Sequence, residues 1–469
     1  MGSEQGGHHM VKRLFIALII VWLGTSIFLL SQDRDSTEIK THQGILLKNC
    51  YVFDTYTGKM SSPMSILIER ECIKSVEPDI GSSQIKYQEI DCAGRFAVPG
   101  LFDCHTHLAF LTTMGKATMK GVLAKFVQNG VTQVRDVGGP IKVLHDMSQA
   151  TSSGEMLGPE FFYTGPMLEK PPLNWEEHNK TLPGFTVPVD SKEDVDQVMA
   201  ELVAGGAQLA KTFNNFDLDV YKYLLAQARK HSLRVVHDPG RPLFQSVPMD
   251  KAIDLGVTSI EHAMALWSVS LKEELKAEHD RIMAESDNDP ARKAFMAKII
   301  ELGMDSISTD KLEKIIDKML ANDVYLCPTL YVMEFMAKQP TSKDTPKEEY
   351  EQRKKFFTSA LEVAPYFVSE MAKRKVKILV GQDNMNPMGT LVEMKLLSDS
   401  GMEKSEIIKG ATLYPAQWLG VEERLGSISP GKLANISIVE KNPLEDIKNI
   451  RDPYMVIKNG TIAHHKSKK

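Results

Sequence analysis

Val98-Pro99-Gly100-Leu101-Phe102-Asp103-Cys104-His105-Thr106-His107 reads as a Pro-Gly turn entering a short buried strand that ends in two histidines. Side chains alternate across a strand, so His105 and His107, spaced i, i+2, project from one face. Neutral imidazole is the commonest protein ligand for zinc and similar ions. Two imidazoles side by side on a rigid strand make half of a metal site.

Downstream of this strand, apolar strands alternate with helical stretches, the pattern of a parallel α/β barrel. Strand candidates include Gln133-Val134-Arg135, Leu209-Ala210-Lys211, Val235-Val236-His237, Ser259-Ile260-Glu261-His262, Tyr325-Leu326-Cys327 and Ile378-Leu379-Val380. A charged, helix-rich excursion over about 267–320 is longer than one βα loop requires and reads as a lid or rim over the barrel mouth. Short strands punctuated by Gly and Pro occupy both ends of the chain: Ile45-Leu46-Leu47, Tyr51-Val52-Phe53 and Ser65-Ile66-Leu67-Ile68 before the barrel, and Ile436-Ser437-Ile438-Val439 and an Asn459-Gly460 hairpin after it. The fold class is therefore α/β. A (β/α)8 TIM-like barrel over 99–420 is expected, with a small β-sandwich built from 44–98 plus 421–469, preceded by a leader and tether over 1–43.

Barrel active sites sit at the C-terminal ends of the strands. Of 13 histidines, few sit there. His237 follows Leu233-Arg234-Val235-Val236, and His262 follows Ser259-Ile260-Glu261. Lys211 follows Gln208-Leu209-Ala210, and Asp383 follows Val380-Gly381-Gln382. Parity is read as Leu209 with Lys211, and Val235 with His237, sharing an inward face. His8, His9, His464 and His465 belong to the chain ends, and His42, His145, His231 and His279 to the tether or to helical stretches, so none of these is a candidate.

The ordered set His-x-His, Lys, His, His, Asp resembles the amidohydrolase superfamily, metal-dependent hydrolases built on a (β/α)8 barrel. Within it the chain is similar to the imidazolonepropionase-related and Xaa-Pro dipeptidase-like branch, through Gly130-Val131-Thr132-Gln133-Val134-Arg135-Asp136-Val137-Gly138-Gly139, Ser259-Ile260-Glu261-His262, Thr412-Leu413-Tyr414-Pro415-Ala416 leading to Leu419-Gly420, and the closing segment from Gly426 to Val439. The resemblance covers about 44–463. Two departures stand out. His237 is followed by Asp238-Pro239, where relatives often carry a second His, and Asn435 stands where an Asp is usual.

The resemblance implies a ligand set and a chemistry. His105, His107 and Asp383 would hold one metal, and His237 and His262 the other. Lys211, carboxylated by CO2, would bridge both, because a carbamate offers two anionic oxygens where an amine offers one lone pair. Two Zn ions are the default; Mn, Co or Fe also suit N/O ligands. A metal-activated hydroxide would attack the scissile carbonyl, with Asp383 as general base and acid. The expected activity is hydrolysis of a C–N bond in an amide, a dipeptide or an N-acyl amino acid. Arg135, His178 and Tyr331 are candidates for substrate binding. The alternatives are a mononuclear deaminase or cyclic-amide hydrolase with Lys211 unmodified, and a non-catalytic membrane-tethered metal-binding module.

Composition narrows the partners. Lys+Arg 56 against Asp+Glu 61 gives a formal net charge of −5, a balance that argues against a nucleic-acid partner, which usually needs a basic face. The expected partner is a small-molecule or short-peptide substrate, and a homo-oligomer is compatible with the chain. Five cysteines, Cys50, Cys72, Cys92, Cys104 and Cys327, include no C-x-x-C pair. Their number is odd, and the sequence leaves a disulfide among the first three open. Lys12 and Arg13 precede an apolar run from Leu14 to Leu30, broken only by Gly24, Thr25 and Ser26. Its length is at the lower edge for a membrane span. The run reads as an uncleaved signal anchor. Positive residues before it place the N-terminus in the cytoplasm and the barrel outside, periplasmic or extracellular; cleavage of the segment would release the protein. Residues 1–9 read as a leader ahead of a start at Met10.

Overall fold

The structure is a computed structural model and describes residues 44–80, 87–213, 216–240, 247–284, 289–340 and 347–466. The apolar run from Leu14 to Leu30 and the tether lie outside the described residues. Among the described residues, no helix is long and apolar enough to cross a membrane.

At the N-terminal end come β1 (Gly44–Asp54), β2 (Lys59–Glu69), β3 (Cys72–Glu77), β4 (Gln88–Asp91) and β5 (Phe96–Pro99). The two short strands expected between Ile45 and Phe53 are one strand. Its pairing with β2 shifts register between Leu47 and Cys50, around Asn49 at φ 56°. The barrel strands are β6 (Leu101–Thr106), β7 (Val131–Asp136), β8 (Glu160–Tyr163), β9 (Met167–Glu169), β10 (Thr186–Pro188), β11 (Leu209–Thr212), β12 (Arg234–His237), β13 (Ser259–Glu261) and β14 (Tyr325–Cys327). The chain closes with β15 (Ile436–Val439), β16 (Met455–Lys458) and β17 (Thr461–His465).

Both ends of the chain share one eight-stranded sheet, in the order β17-β16-β15-β5-β1-β2-β3 with β4 on β1. Its own core includes Leu47, Ile66, Ile68, Ile436, Ile438 and Ile457. The β16–β17 hairpin turns at Asn459 and Gly460, both at positive φ, as a two-residue hairpin turn of this kind demands. His464 and His465, read as belonging to a chain end, lie in β17. All five cysteines are free.

The barrel pairs as a three-stranded parallel unit, β6-β7-β8, and a six-stranded one, β10-β9-β11-β12-β13-β14. Residues 378–384 stand between β14 and β6. They join them by isolated parallel bridges, Leu326 with Ile378 and Thr106 with Asn384, rather than by a continuous ladder. The Cys104 N–H donates to Val380 O (2.8 Å). Gly381 is required at this seam: a Cβ there would lie 2.7 Å from the His105 backbone nitrogen.

Two cores separate the inside of the barrel from its outside. Phe102, Cys104, Val137, Phe162, Leu209, Val236, Cys327 and Leu379 pack together in the interior. Val134, Ala210, Ile260 and Val380 pack outward in the large helix-covered core. The lining of the cavity at the mouth relocates the lid. Residues 267–284 and 289–320 are mainly helical as expected, with Leu275, Ile282, Phe295 and Ile299 buried in the outer core, but none of these described residues lines the cavity at the mouth. The cavity at the mouth is instead lined by Val332 and Met333 of the helix Leu330–Lys338, and by Phe356 and Phe357 of the helix Lys347–Lys373.

Candidate active site

β6 delivers its histidines to the mouth already oriented. The His105 Nδ1–H donates to Glu261 Oε2 (2.6 Å), and the His107 Nδ1–H donates to Gly138 O (3.1 Å). Each acceptor fixes the tautomer, because a carboxylate or carbonyl can only accept. Both Nε2 lone pairs are therefore presented to the cavity. They converge on Asp383 Oδ1, at 3.4 Å from His105 and 3.3 Å from His107. Gly138 permits the approach, since a Cβ there would sit 3.0 Å from the His107 ring. Metal-ligating histidines are almost always held this way by a carboxylate or carbonyl on the second nitrogen. Among the described residues, His105, His262 and Asp383 each offer a donor atom within 4.8 Å of the others, and His107 Nε2 stands 3.3 Å from Asp383 Oδ1 as a further donor, so the donor set fits a divalent ion.

Asp383 is seated by its backbone N–H donating to His105 O (2.8 Å). Burial pushes its carboxyl up, but the surrounding imidazoles, in their protonated form, outweigh burial and hold it well below the usual carboxylate range; Asp383 in turn raises His107, and Asp238 raises His262. Burial pushes His105 down to about 4, keeping it neutral and able to ligate. Asp383 (φ 54°), His262 (φ 67°) and Thr329 (φ 54°) all have left-handed backbones. Such conformations cost on the order of 1–3 kcal/mol each for non-glycine residues and cluster at functional sites.

Lys211 lies 3.1 Å from Asp238 Oδ2, both buried, and the same oxygen is 3.0 Å from His262 Nε2. His262 Nδ1 is 2.7 Å from the Thr329 hydroxyl and 4.0 Å from Asp383 Oδ2. Burial raises Asp238, but Lys211 and His262 more than offset this and keep it ionised. Asp238 was noted in the sequence only as a departure, and it occupies the strand-end position expected for His237.

His237 faces away, which corrects its assignment as a ligand. Its Nε2–H donates to Val247 O (2.9 Å), and its Nδ1 accepts at 3.0 Å from the hydroxyls of Thr212 and Tyr221. The cause is register. Lys211 pairs with Val236, and Thr212 with His237. Val236 is interior, so Asp238, two residues on, shares the inward face with Lys211. A one-residue error in parity exchanges the two faces of a strand.

Arg135 does not reach substrate. It lies 1% exposed in the barrel floor, donating through Nη1 to Ser259 Oγ (2.8 Å) and through Nη2 to Glu261 Oε1 (2.6 Å). Its guanidinium also lies 5.1 Å from the Trp418 ring centroid. Tyr331 is likewise withdrawn from the cavity, its hydroxyl accepting from Asn386 (2.7 Å). His178 does line the cavity, stacked on Phe185 at 5.3 Å.

Glu261 was quoted in the sequence without a role, yet it links Arg135 to His105. Burial pushes it up, and Arg135 and His105 bring it down to about 2. A signal existed. Ser259 and Glu261 flank the outward Ile260, and Gln133 and Arg135 flank the outward Val134, so both strands carry polar residues at i, i+2 on the inner face.

An (β/α)8 scaffold with paired imidazoles and a carboxylate at its strand ends defines the class as a barrel hydrolase with a candidate metal centre. A family model described as the amidohydrolase family matches residues 96–236 and 358–463, more than half of the chain, and the chain belongs to that family. A curated relative, a dihydroorotase from Carboxydothermus hydrogenoformans, is 28% identical over 146 residues, which is 30% of this chain and 27% of that protein. The match therefore spans about a quarter of the relative's length. Among solved structures, a Xaa-Pro dipeptidase with methionine bound in its active site aligns at TM-score 0.67 and 21% identity, covering 89% of this chain and 99% of that one. A putative prolidase from Bifidobacterium longum aligns at 0.65 and 20%, covering 90% and 94%. An A. niger ochratoxinase aligns at 0.65 and 19%, covering 90% and 96%. At these identities the likeness establishes the shared fold.

Proposed function

We propose that this protein hydrolyses a C–N bond of an amide with the help of a divalent ion, zinc by default, held by His105, His107 and Asp383. One observation carries the reading: two Nε2 atoms face one carboxylate oxygen at 3.4 and 3.3 Å, with each Nδ1 tied back to an acceptor. When bound, such an ion polarises a carbonyl and lowers the pKa of water toward neutrality. The chain's own residues do the rest. Glu261 and Gly138 keep the imidazoles aimed. Asp383, held ionised, accepts the proton of the attacking water and returns it to the leaving nitrogen.

The ion count turns on Lys211. Its ammonium and Asp238 neutralise each other at 3.1 Å, and His237, assigned to a second ion, is committed to Val247 and two hydroxyls. One ion per chain is the proposal. The two-ion form with Lys211 carboxylated keeps one observation in its favour: His262 and Asp238 stand beside Lys211 as further donors. Elemental analysis of protein prepared with zinc and bicarbonate tests both forms. One ion is expected, lost in His107→Ala and retained in His237→Gln. Two ions, of which Lys211→Ala removes one, would establish the carbamate form instead; loss of the ion in His237→Gln would return that residue to the centre.

The Leu14–Leu30 run supports a further part of the proposal, an N-terminal anchor with the barrel outside the cytoplasm. Fractionation and protease digestion of intact cells should find the protein in the membrane and its barrel accessible. Soluble cytoplasmic protein that retains residues 10–30 would refute this placement.

A further inference from the structure

The cavity above the site is about 290 Å³, near the lower end for ligand pockets. Its walls are mainly apolar, with Thr113, Thr181, His178 and Asn384 as the polar exceptions. On the side of His107, Phe110, Phe185 and His178 pack ring against ring, with Phe110 4.9 Å and His107 5.7 Å from Phe185. Trp175 and Phe213, 6.0 Å apart, extend this wall. The remaining wall is lined by Met264, Met333, Met385, Phe356 and Phe357. Methionine is unbranched and soft, and its surfaces adapt to varied apolar shapes.

Charge is confined to the floor. Among the described residues, Lys211 is the one lysine or arginine that lines the cavity, and it is 1% exposed and paired with Asp238. The lining carboxylates are Asp238, engaged with Lys211 and His262, and Asp383 between the imidazoles. An ionised carboxylate or ammonium set against the rings and thioethers of these walls loses its water without gaining a partner from them, a large penalty. A bulky apolar group meets rings and thioethers instead.

Resting on the reading of the site as an amide hydrolase, we propose that its substrate is an uncharged amide bearing a bulky apolar group, an N-acyl amine or aryl amide. The site then discriminates against dipeptides and N-acyl amino acids, which carry a free carboxylate beside the scissile bond. Discrimination arises in the walls, so it acts on binding whether or not the metal centre turns the amide over.

A matched pair tests this: N-hexanoyl-phenethylamine and N-hexanoyl-phenylalanine, which differ by the carboxylate alone. Calorimetric titration of the full-length protein, metal-depleted and zinc-loaded, reads binding; product formation by the zinc-loaded protein reads turnover. The neutral amide should bind about ten- to a hundred-fold more tightly than the acid in both forms, with a similar advantage in kcat/KM. Met333→Lys, which places a cation in the wall, should shrink that ratio by about ten-fold. Equal or tighter binding of the acid would overturn the proposal, as would failure of the neutral amide to bind. Selective binding of the neutral amide with no turnover of either compound would uphold the cavity's preference and reject the hydrolase reading.

Discussion

Asp383→Asn is expected to lower turnover by about 10²–10⁴-fold, the usual worth of general acid–base assistance, while leaving the fold in place. Asparagine has nearly the same shape and tolerates the left-handed backbone that Asp383 adopts at φ 54°. The backbone hydrogen bond to His105 O is unaffected. What disappears is the negative charge between His105 Nε2 and His107 Nε2, and with it the group that accepts a proton from water. The amide oxygen remains a weak ligand, so the comparison is made at saturating zinc, with metal content and thermal melting measured on both proteins. Near-normal turnover at equal metal content would reduce Asp383 to a structural residue and end the proposed mechanism.

Arg135→Leu should cost about 3–5 kcal/mol of stability, the effect of removing one partner from a buried ion pair. The pair is fully enclosed, with side-chain exposures of 1% and 0%. Without Arg135, the Glu261 carboxylate stays buried beside Cys104 and Cys327 with the His105 imidazole as its remaining strong partner. The sign of the pH dependence follows from the fall of Glu261 to about 2, below its ordinary value of 4.5. A depressed carboxylate contributes stability above pH 4.5 that is lost as pH falls toward 2. The difference in unfolding free energy between wild type and Arg135→Leu should therefore be largest above pH 4.5 and narrow as pH falls. A gap independent of pH over that window would mean that the guanidinium acts by packing on Trp418 rather than by charge. The imidazole orientation depends on the same carboxylate, so weaker zinc binding by Glu261→Gln, by about 10–100-fold, would separate this linkage from the ion pair.

The sequence by itself determined the frame. An apolar strand ending in His105-Thr106-His107, and polar residues at the ends of later strands, were enough to define a barrel with a centre at its mouth. Spacing alone also brought Lys211, His262 and Asp383 to the cavity, although a residue near a strand end faces the mouth only when its parity is inward. The shared sheet of the two chain ends was legible from their short strands and the Asn459-Gly460 turn.

What only the tertiary structure decided was direction. On β12 both neighbours of the strand end are polar, His237 and Asp238, and the apolar residues before them, Val235 and Val236, do not alternate with polar ones. No local pattern says which is inward. Pairing with β11 does, and it seats Asp238 against Lys211 while His237 satisfies Val247 and Tyr221 outside. Arg135 was legible as chemistry but not as depth: its place under the site comes from Ser259 and Glu261 on a strand 124 and 126 residues away. The lid was misplaced for the same kind of reason. A charged helical run looks alike over a cavity and over solvent, and the apolar residues that line the mouth belong to helices whose inner faces are defined only once the barrel has brought them together.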